Sequence, residues 1–173
     1  MNLRKLELKD APLMLEWMHD ESVTEYLQTD FSTKTDEDCR KFISESWNDP
    51  ENIHLAIVDD NDTYQGTVSL KHITEISAEF AITIRRLAMG KGISKAAMEE
   101  MLEIGFERLS LSKIYWCVSP ENERAVRFYD KNGYQRISQP RKLLLGGYTP
   151  TQIAFYIWYQ KTRDGGKTTS KNN

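Results

Sequence analysis

Residues 76 to 119 contain strand-like and helix-like stretches in an order that restricts the possible folds. ISAEFAITIRR predicts a strand, MGKGIS a glycine turn, residues 92 to 108 a helix, and KIYWCVS a second strand. A crossover helix returns the chain to the same end of the sheet, so the two strands run parallel. Any fold of this chain therefore contains a parallel strand pair covered by a helix.

The other strand-like stretches are joined by short links, which favours antiparallel neighbours. LRKLEL alternates apolar and polar residues, and HLAIVDD, TYQGTVSLKHI and ISAEFAITIRR form a predicted antiparallel meander. YQRIS and IAFYIWYQ are predicted as a final strand pair, joined by a loop that contains Gly146 and Gly147. The parallel pair is thus expected inside a mostly antiparallel sheet.

Helices are expected on both sides of this sheet. They are predicted after Asp10, over ESVTEYL, from Thr35 or Asp36 onwards, and from Asn122 to Lys131. The fold class is a single-domain mixed α/β fold with flanking helices over residues 1–161. The polar tail, residues 162–173, is expected to be disordered.

The composition excludes several classes of protein. The net charge is −3 over 173 residues, so no general attraction to nucleic acid is expected. No apolar run is long enough to span a membrane. Cys39 and Cys117 are too few and too far apart for a disulfide framework or a zinc site, which makes the cytoplasm the expected location.

The glycine turn MGKGIS is a candidate phosphate-binding site. A helix N-terminus offers unpaired N–H groups and partial positive charge, and Lys91 and Lys95 add charge nearby. The alternative is a tight connection that needs glycine only for its geometry. An NAD-binding fingerprint would need glycine at position 95, and the nucleotide P-loop pattern is absent.

At this point the sequence resembles a known family. MGKGIS approximates the turn pattern [QR]-x-x-G-x-[GA] of the GNAT N-acetyltransferases, with Met89 and Ser94 departing from it and Gly92 matching. The later block PENERAVRFYDKNGY resembles the family's N-x-x-[AS]-x-x-x-[YF]-x-x-x-G-[FY] helix almost throughout. The resemblance covers roughly residues 2 to 160 and is greatest to the ribosomal-protein-alanine and amino-sugar acetyltransferases.

The resemblance implies acetyl-CoA as co-substrate. Its pantetheine arm would lie along Ile82, Thr83 and Ile84, in a gap where the parallel strands splay. Asn122 would hydrogen-bond the cofactor, and Arg127 would reach its phosphates unless it is a solvated surface charge. The backbone amides implied for the pyrophosphate belong to Met89, Gly90, Lys91, Gly92, Ile93 and Ser94.

Acetyl transfer needs a base for the amine, a donor for the carbonyl oxygen and an acid for the thiolate. Tyr129 stands where the family places its general acid, with a core aromatic residue as the alternative. Glu79 is the candidate base, with a solvent-facing edge residue as the alternative. His72 and His54 are further candidates for the base, although His54 is expected at the surface. The N–H near Ile84, at a family strand bulge, is implied as the donor to the thioester carbonyl.

The acceptor implied by the resemblance is a primary amine of a small molecule, an amino sugar or a peptide N-terminus, and the chain is expected to act as a monomer or homodimer. A non-catalytic acetyl-CoA-binding regulatory module is the alternative function. No metal site is expected, because Glu99, Glu100 and Glu103 follow the spacing of a solvated helix face. Candidate acceptor-pocket residues come from the first helices and the last strands: Trp17, Glu25, Tyr26, Phe31, Tyr148 and Trp158.

Overall fold

The computed structural model describes residues 1–138 and 146–164. The strands are β1 (Asn2–Lys5), β2 (Ile53–Val58), β3 (Tyr64–Lys71), β4 (Ser77–Ile84), β5 (Lys113–Val118), β6 (Gln135–Ile137) and β7 (Ile157–Thr162). The α-helices are α1 (Ala11–Met18), α2 (Glu21–Thr24), α3 (Asp36–Ser46), α4 (Ile93–Glu103), α5 (Glu123–Lys131) and α6 (Pro150–Phe155). Short 3-10 turns span Leu8–Asp10 and Arg86–Ala88, and Ile104–Arg108 extends α4 as a wider, π-helical turn.

Over the described residues, one sheet has the strand order β1-β2-β3-β4-β5-β7-β6. The pair β4 and β5 is parallel, and the other neighbours are antiparallel. The single-domain mixed α/β prediction, with one parallel pair inside a mostly antiparallel sheet, is therefore confirmed. The crossover through α4 places the glycine turn at the end of β4.

The two parallel strands are paired over only part of their length. Their register runs from Ser77 opposite Lys113 to Glu79 opposite Tyr115 and stops there. On its other side β4 stays paired with β3 as far as Ile84. The second half of β4 therefore has one paired edge and one open edge, which is the splay that the family resemblance implies.

Apolar residues cover both faces of the sheet. On one face, α4 and α5 pack over alternate residues of β4 and β5, including Phe80, Ile84 and Trp116. On the opposite face, α1 and α3 cover β2 and β3. A smaller cluster around Tyr115 and Trp158 lies near α6. Glu79 points to the same face of the sheet as Tyr115, because both alternate with residues of the larger core.

The prediction of one continuous final strand over IAFYIWYQ is wrong in its first half. Pro150–Phe155 is helical. The Thr149 hydroxyl oxygen caps α6 by accepting from the N–H of Gln152, and the Thr149 N–H donates to the Gln152 side-chain oxygen. Proline in the first helical turn fits this arrangement. The strand β7 starts only at Ile157, so the apolar run contains two elements.

The end of the fold lies slightly beyond the predicted boundary. Thr162 is the last residue of β7, and the N–H of Arg163 donates to the carbonyl of Ser112. Residues 165–173, which make up most of the predicted tail, lie outside the described residues. Of the predicted loop that contains Gly146 and Gly147, the residues from Gly146 onwards are among those that the structure describes.

Candidate active site

The open edge of β4 presents backbone groups to the gap between β4 and β5. The N–H of Arg85 bonds the carbonyl of Gln65, so Thr83, two residues earlier, also faces β3. The N–H and C=O groups of Ile82 and Ile84 consequently point away from β3. An extended ligand chain could pair with them as an added strand.

The bulge expected in β4 near Ile84 is not found. Its register with β3 is continuous from Lys71 opposite Glu79 to Gly66 opposite Ile84. The register shift in this part of the sheet lies between β2 and β3, at Ile57 and Val58. The Ile84 N–H is directed to the gap by regular strand alternation, and no bulge is needed for it.

The glycine turn forms an open cradle at the start of α4. Gly90 and Gly92 have φ values of 80° and 76°, which L-residues with a side chain rarely adopt. A Cβ at either position would meet no atom within 4 Å, so space is available beside the backbone. Within residues 1–138 and 146–164, the amides from Gly90 to Ser94 donate to no protein acceptor. The Met89 N–H differs, because it donates to the Arg86 carbonyl.

Two arginines of α5 differ in their relation to this cradle. The Arg124 guanidinium lies 3.4 Å from the Met89 sulfur, beside the turn. Arg127 pairs instead with Glu123 at 3.3 Å, and its side chain is 78% exposed. Arg124 is not among the residues predicted from the sequence. The signal that could have indicated it is its position on α5, on the side of the helix that faces the turn. Lys91 is exposed in the turn, and Lys95 pairs weakly with Glu99.

Asn122 stands between β5 and α5 and has a structural role. Its side-chain oxygen accepts from the N–H of Ala125 at 3.2 Å, capping α5. The side-chain amide group remains available as a donor on the same residue. The helix ends at Lys131 with Asn132 as its C-cap, and Gly133 follows with φ of 74°, as the sequence predicts.

Tyr129 lies in an aromatic cluster on the α4 and α5 face of the sheet. Its ring contacts those of Trp116, Tyr134 and Tyr159, with centroids 5.0 to 6.1 Å apart. Burial raises the pKa of Tyr129 well above its ordinary value, so the phenol stays protonated at neutral pH. The hydroxyl has no hydrogen-bond partner in the described part of the chain. Tyr129 is therefore both a core residue and a possible proton donor.

Glu79 is buried at the point where β4 and β5 part. It is 2% exposed, so the alternative of a solvent-facing edge residue is wrong. Its Oε1 accepts from the Tyr148 hydroxyl at 2.5 Å and lies 3.6 Å from the Lys71 ammonium. Its Oε2 lies 3.6 Å from the His72 ring and has no hydrogen-bond partner among the described residues. Buried polar atoms normally have a hydrogen-bond partner, so Oε2 is an acceptor position at which a donor group of a substrate could bind.

Cys117 and Tyr148 extend the polar contacts of Glu79 along the same face. The Cys117 thiol donates to the Tyr148 hydroxyl at 3.5 Å, and burial raises the pKa of Cys117 to about 11. Burial also raises the pKa of Tyr148, with the neighbouring Cys117 and Glu79 adding to the effect. The Gln28 amide lies 3.8 Å from the Cys117 sulfur and brings the segment after α2 over β5.

The two candidate histidines have different surroundings. His72 follows β3 with φ of 51°, and its ring stands beside Glu79. His54 is partly buried, contrary to the surface position expected for it. Its Nδ1 lies 2.7 Å from the Ser69 hydroxyl, and burial lowers its pKa. Only His72 contacts the candidate base.

Some of the predicted acceptor-pocket residues are buried in the core, and others are only partly buried. Trp17 and Trp158 are core residues whose indole N–H groups bond the Tyr64 hydroxyl and the Ile153 carbonyl. Tyr26 is partly buried near α2, where Glu25, and less strongly Glu121 and Glu123, raise its pKa. Tyr148 alone of the predicted set contacts Glu79 in the described structure.

No group of three or more His, Cys, Asp or Glu residues in residues 1–138 and 146–164 could hold a metal ion. None of the helices there combines the length and apolar character that a membrane crossing requires.

The sequence of residues 1–135 matches the acetyltransferase (GNAT) domain family. An uncharacterized N-acetyltransferase of Bacillus licheniformis is 29% identical over 143 residues, which are 79% of this chain and 79% of that protein. The spermidine N(1)-acetyltransferase of Vibrio cholerae serotype O1 is 31% identical over 103 residues, 52% of this chain and 60% of that protein.

Solved structures agree with the fold. A spermidine N-acetyltransferase from Vibrio cholerae in complex with CoA and spermine superposes with a TM-score of 0.78 at 22% identity, covering 95% of this chain and 96% of that chain. A GNAT-family acetyltransferase from Bacillus anthracis superposes with a TM-score of 0.74 at 22% identity, covering 94% of each chain. With the family match over residues 1–135, the chain belongs to the GNAT N-acetyltransferases and is an acetyltransferase that uses acetyl-CoA as co-substrate.

Proposed function

We propose that Glu79 and Tyr129 carry the acetyl transfer, as base and acid, during direct attack of a primary amine on the thioester. The observation that carries this proposal is the Glu79 carboxylate, which is buried beside the open edge of β4 and has one oxygen without a hydrogen-bond partner among the described residues. An amine or a water bound to that oxygen would supply the missing hydrogen bond. The alternative of a non-catalytic module does not account for this arrangement.

The donor site in this proposal follows the backbone of β4 and the glycine turn. The gap-facing groups of Ile82 and Ile84 would pair with the pantetheine arm, and Thr83 lies between them on the same strand. The amides from Gly90 to Ser94, which donate to no acceptor among the described residues, suit a pyrophosphate at a helix N-terminus, with Met89 at the edge of the cradle. The Asn122 amide would donate to the cofactor.

Either of the two α5 arginines could contribute to phosphate binding. The contact of Arg124 with Met89 supports Arg124. The pairing of Arg127 with Glu123 leaves it as the second candidate. Lys91 adds a positive charge in the turn itself.

The proton transfers follow from the surroundings of the two residues. Glu79 Oε2 would accept the proton of the attacking amine, directly or through a water, as the N–C bond forms. The neutral Tyr129 phenol would donate its proton to the departing CoA thiolate as the C–S bond breaks. The Ile84 N–H faces the gap and would donate to the thioester carbonyl oxygen.

The acceptor proposed first is a small-molecule amine of the polyamine class. Relatives in Vibrio cholerae and Escherichia coli are spermidine N(1)-acetyltransferases. The carboxylates of Glu25, Glu121 and Glu123 near Tyr26 favour a cationic acceptor.

An amino sugar or a peptide N-terminus is the second acceptor class. The sequence resembles the ribosomal-protein-alanine and amino-sugar branch of the family. The Lys71 ammonium lies 3.6 Å from Glu79, and this positive charge favours an acceptor with a single amine over a polycation. The proposed setting is the cytoplasm, where the free thiols of Cys39 and Cys117 stay reduced, with the chain as monomer or homodimer.

The test combines binding with turnover. Thermal melts with acetyl-CoA, CoA, NAD and ATP would show a shift for the first two alone. A ligand at about 100 times its Kd adds roughly 2.7 kcal/mol, which raises Tm by about 5 to 11 °C in a domain of this size. Release of CoA thiol is then measured with spermidine, glucosamine and a peptide that begins with alanine. No melt shift with acetyl-CoA would contradict the donor site, and no turnover with any amine would contradict the catalytic assignment.

A further inference from the structure

The two oxygens of the Glu79 carboxylate have unequal surroundings. Oε1 accepts from the Tyr148 hydroxyl at 2.5 Å and has Lys71 at 3.6 Å. Oε2 has only the His72 ring, at 3.6 Å, and no hydrogen-bond donor among the described residues. A carboxylate held through one oxygen has its other oxygen directed to a defined place.

The ring of Tyr148 is fixed by its neighbours. It packs edge-on against Trp158 at 5.1 Å and Tyr156 at 6.4 Å between ring centroids. The capped helix α6 begins with the next residues, because Thr149 is its N-cap. Ring packing and the cap together limit the positions that the hydroxyl can take.

Glu79 determines which way the Tyr148 proton points. A carboxylate can only accept, so the Tyr148 O–H donates to Glu79 Oε1 and the Cys117 thiol is left to donate to the Tyr148 oxygen. Burial raises the pKa values of both groups, which keeps both protons in place at neutral pH. The result is an ordered chain of donors that ends on Glu79 Oε1.

We propose that Tyr148 is a positioning residue, which holds Oε1 of Glu79 so that Oε2 takes the proton of the acceptor amine. The inference rests on the proposed role of Glu79 as base. Tyr148 keeps its own proton throughout: the amine proton goes to Oε2, the N–C bond forms, the C–S bond breaks, and the thiolate takes its proton from Tyr129. The groups that face Glu79 are Lys71, His72, Tyr115, Cys117 and Tyr148.

The experiment is a double-mutant cycle of Tyr148→Phe with Glu79→Gln, measured as kcat and as KM for acetyl-CoA. Tyr148→Phe keeps the packed ring and removes the hydroxyl, so kcat should fall about tenfold while KM for acetyl-CoA stays unchanged. In the Glu79→Gln background the same substitution should have no further effect, because the carboxylate it positions is gone. The matched control is Tyr156→Phe, which removes a hydroxyl from the neighbouring ring and should leave kcat unchanged.

Two results would overturn this inference and leave the base assignment of Glu79 intact. One is an unchanged kcat in Tyr148→Phe when Glu79→Gln has lost activity. The other is an equal fold-loss from Tyr148→Phe in both backgrounds, which would mean that the hydroxyl acts independently of Glu79. Full activity of Glu79→Gln would overturn the base assignment and this inference with it.

A second pair of variants keeps the test decisive if Tyr148→Phe does not fold. Cys117→Ala removes the donor to Tyr148, and Cys117→Ser keeps a donor of similar size. Cys117→Ala should lower kcat by about threefold and Cys117→Ser should restore most of it, with no effect of either in the Glu79→Gln background. Equal kcat for Cys117→Ala and wild type would overturn the donor chain.

Discussion

The two sides of the proposed site are built from different parts of the chain. On the donor side, the binding groups are backbone amides and carbonyls from one continuous region, from Ile82 through the turn to Ser94. On the acceptor side, the functional groups are side chains from the strands β3, β4 and β5 and from the residue before the capped start of α6. Both sides meet where the pairing of β4 with β5 ends.

Because one side is built from backbone groups and the other from side chains, the two sides should respond differently to mutation. A backbone site depends on φ and ψ and tolerates most side-chain changes, so its sensitive positions are the glycines with positive φ. A side-chain site depends on strand register and packing, so one altered functional group removes a catalytic role. Mutations should therefore separate into effects on KM for acetyl-CoA and effects on kcat.

The largest effect is expected for Glu79→Gln. Glutamine keeps the shape of the side chain and cannot accept the amine proton, so kcat should fall about 1,000-fold. KM for acetyl-CoA should stay unchanged, since the donor groups lie on another part of the chain. Steady-state kinetics with the best acceptor measure both quantities.

The control for Glu79→Gln is Glu75→Gln, on the exposed loop that precedes β4. It changes the net charge by the same amount and should leave both constants unchanged. A kcat for Glu79→Gln within about threefold of wild type would contradict the base assignment.

Tyr129→Phe should lower kcat by about 100-fold, because the thiolate then leaves without its acid. The ring and its contacts with Trp116 and Tyr159 remain, so stability should change little. A CoA analogue with a better leaving group should recover part of the lost rate, and a loss without such recovery would contradict the acid role of the hydroxyl. Tyr134→Phe, in the same aromatic cluster, is the control and should keep the wild-type rate.

Much of the fold could be predicted, because periodicity and turn residues are local signals. The crossover around MGKGIS determined the parallel pair, and Asn132-Gly133 marked the end of α5. The prediction failed at IAFYIWYQ, where an apolar run spans the end of α6 and the start of β7. A helix-start signal would have divided this run into two elements. It consists of Thr149-Pro150 followed by Gln152 and lies before the run.

The site was predictable to a smaller degree. Glu79 and the glycine turn follow from a strand pattern and a motif. Of the residues around Glu79, His72 and Tyr148 were candidates from the sequence, and Lys71 and Cys117 were not. Their contacts with Glu79 could not be predicted, because the residues reach it from separate elements of the fold. Lys71 is opposite Glu79 in the β3 and β4 ladder, a pairing that the meander restricts but does not determine.

Gly92→Ala tests the backbone side of the comparison. A side chain at a φ of 76° costs about 1–2 kcal/mol, although a Cβ would have open space there. Distortion of the turn should raise KM for acetyl-CoA about tenfold and leave kcat nearly unchanged. Gly133→Ala is the matched control, since Gly133 has a φ of 74° and equally open space at the end of α5. Equal KM values for both variants would show that the turn geometry is not used for the donor.

The smallest effect is expected from the α5 arginines, and it distinguishes the two candidates for the phosphates. Arg124→Ala should raise KM for acetyl-CoA about two- to fivefold at low salt, since a single exposed charge contributes little. Arg127→Ala should change it less, because that guanidinium is paired with Glu123 and exposed. The difference should shrink as salt screens the phosphates. A larger effect for Arg127 would mean that it exchanges Glu123 for the phosphates when the donor binds, and the backbone side would then depend on a side chain after all.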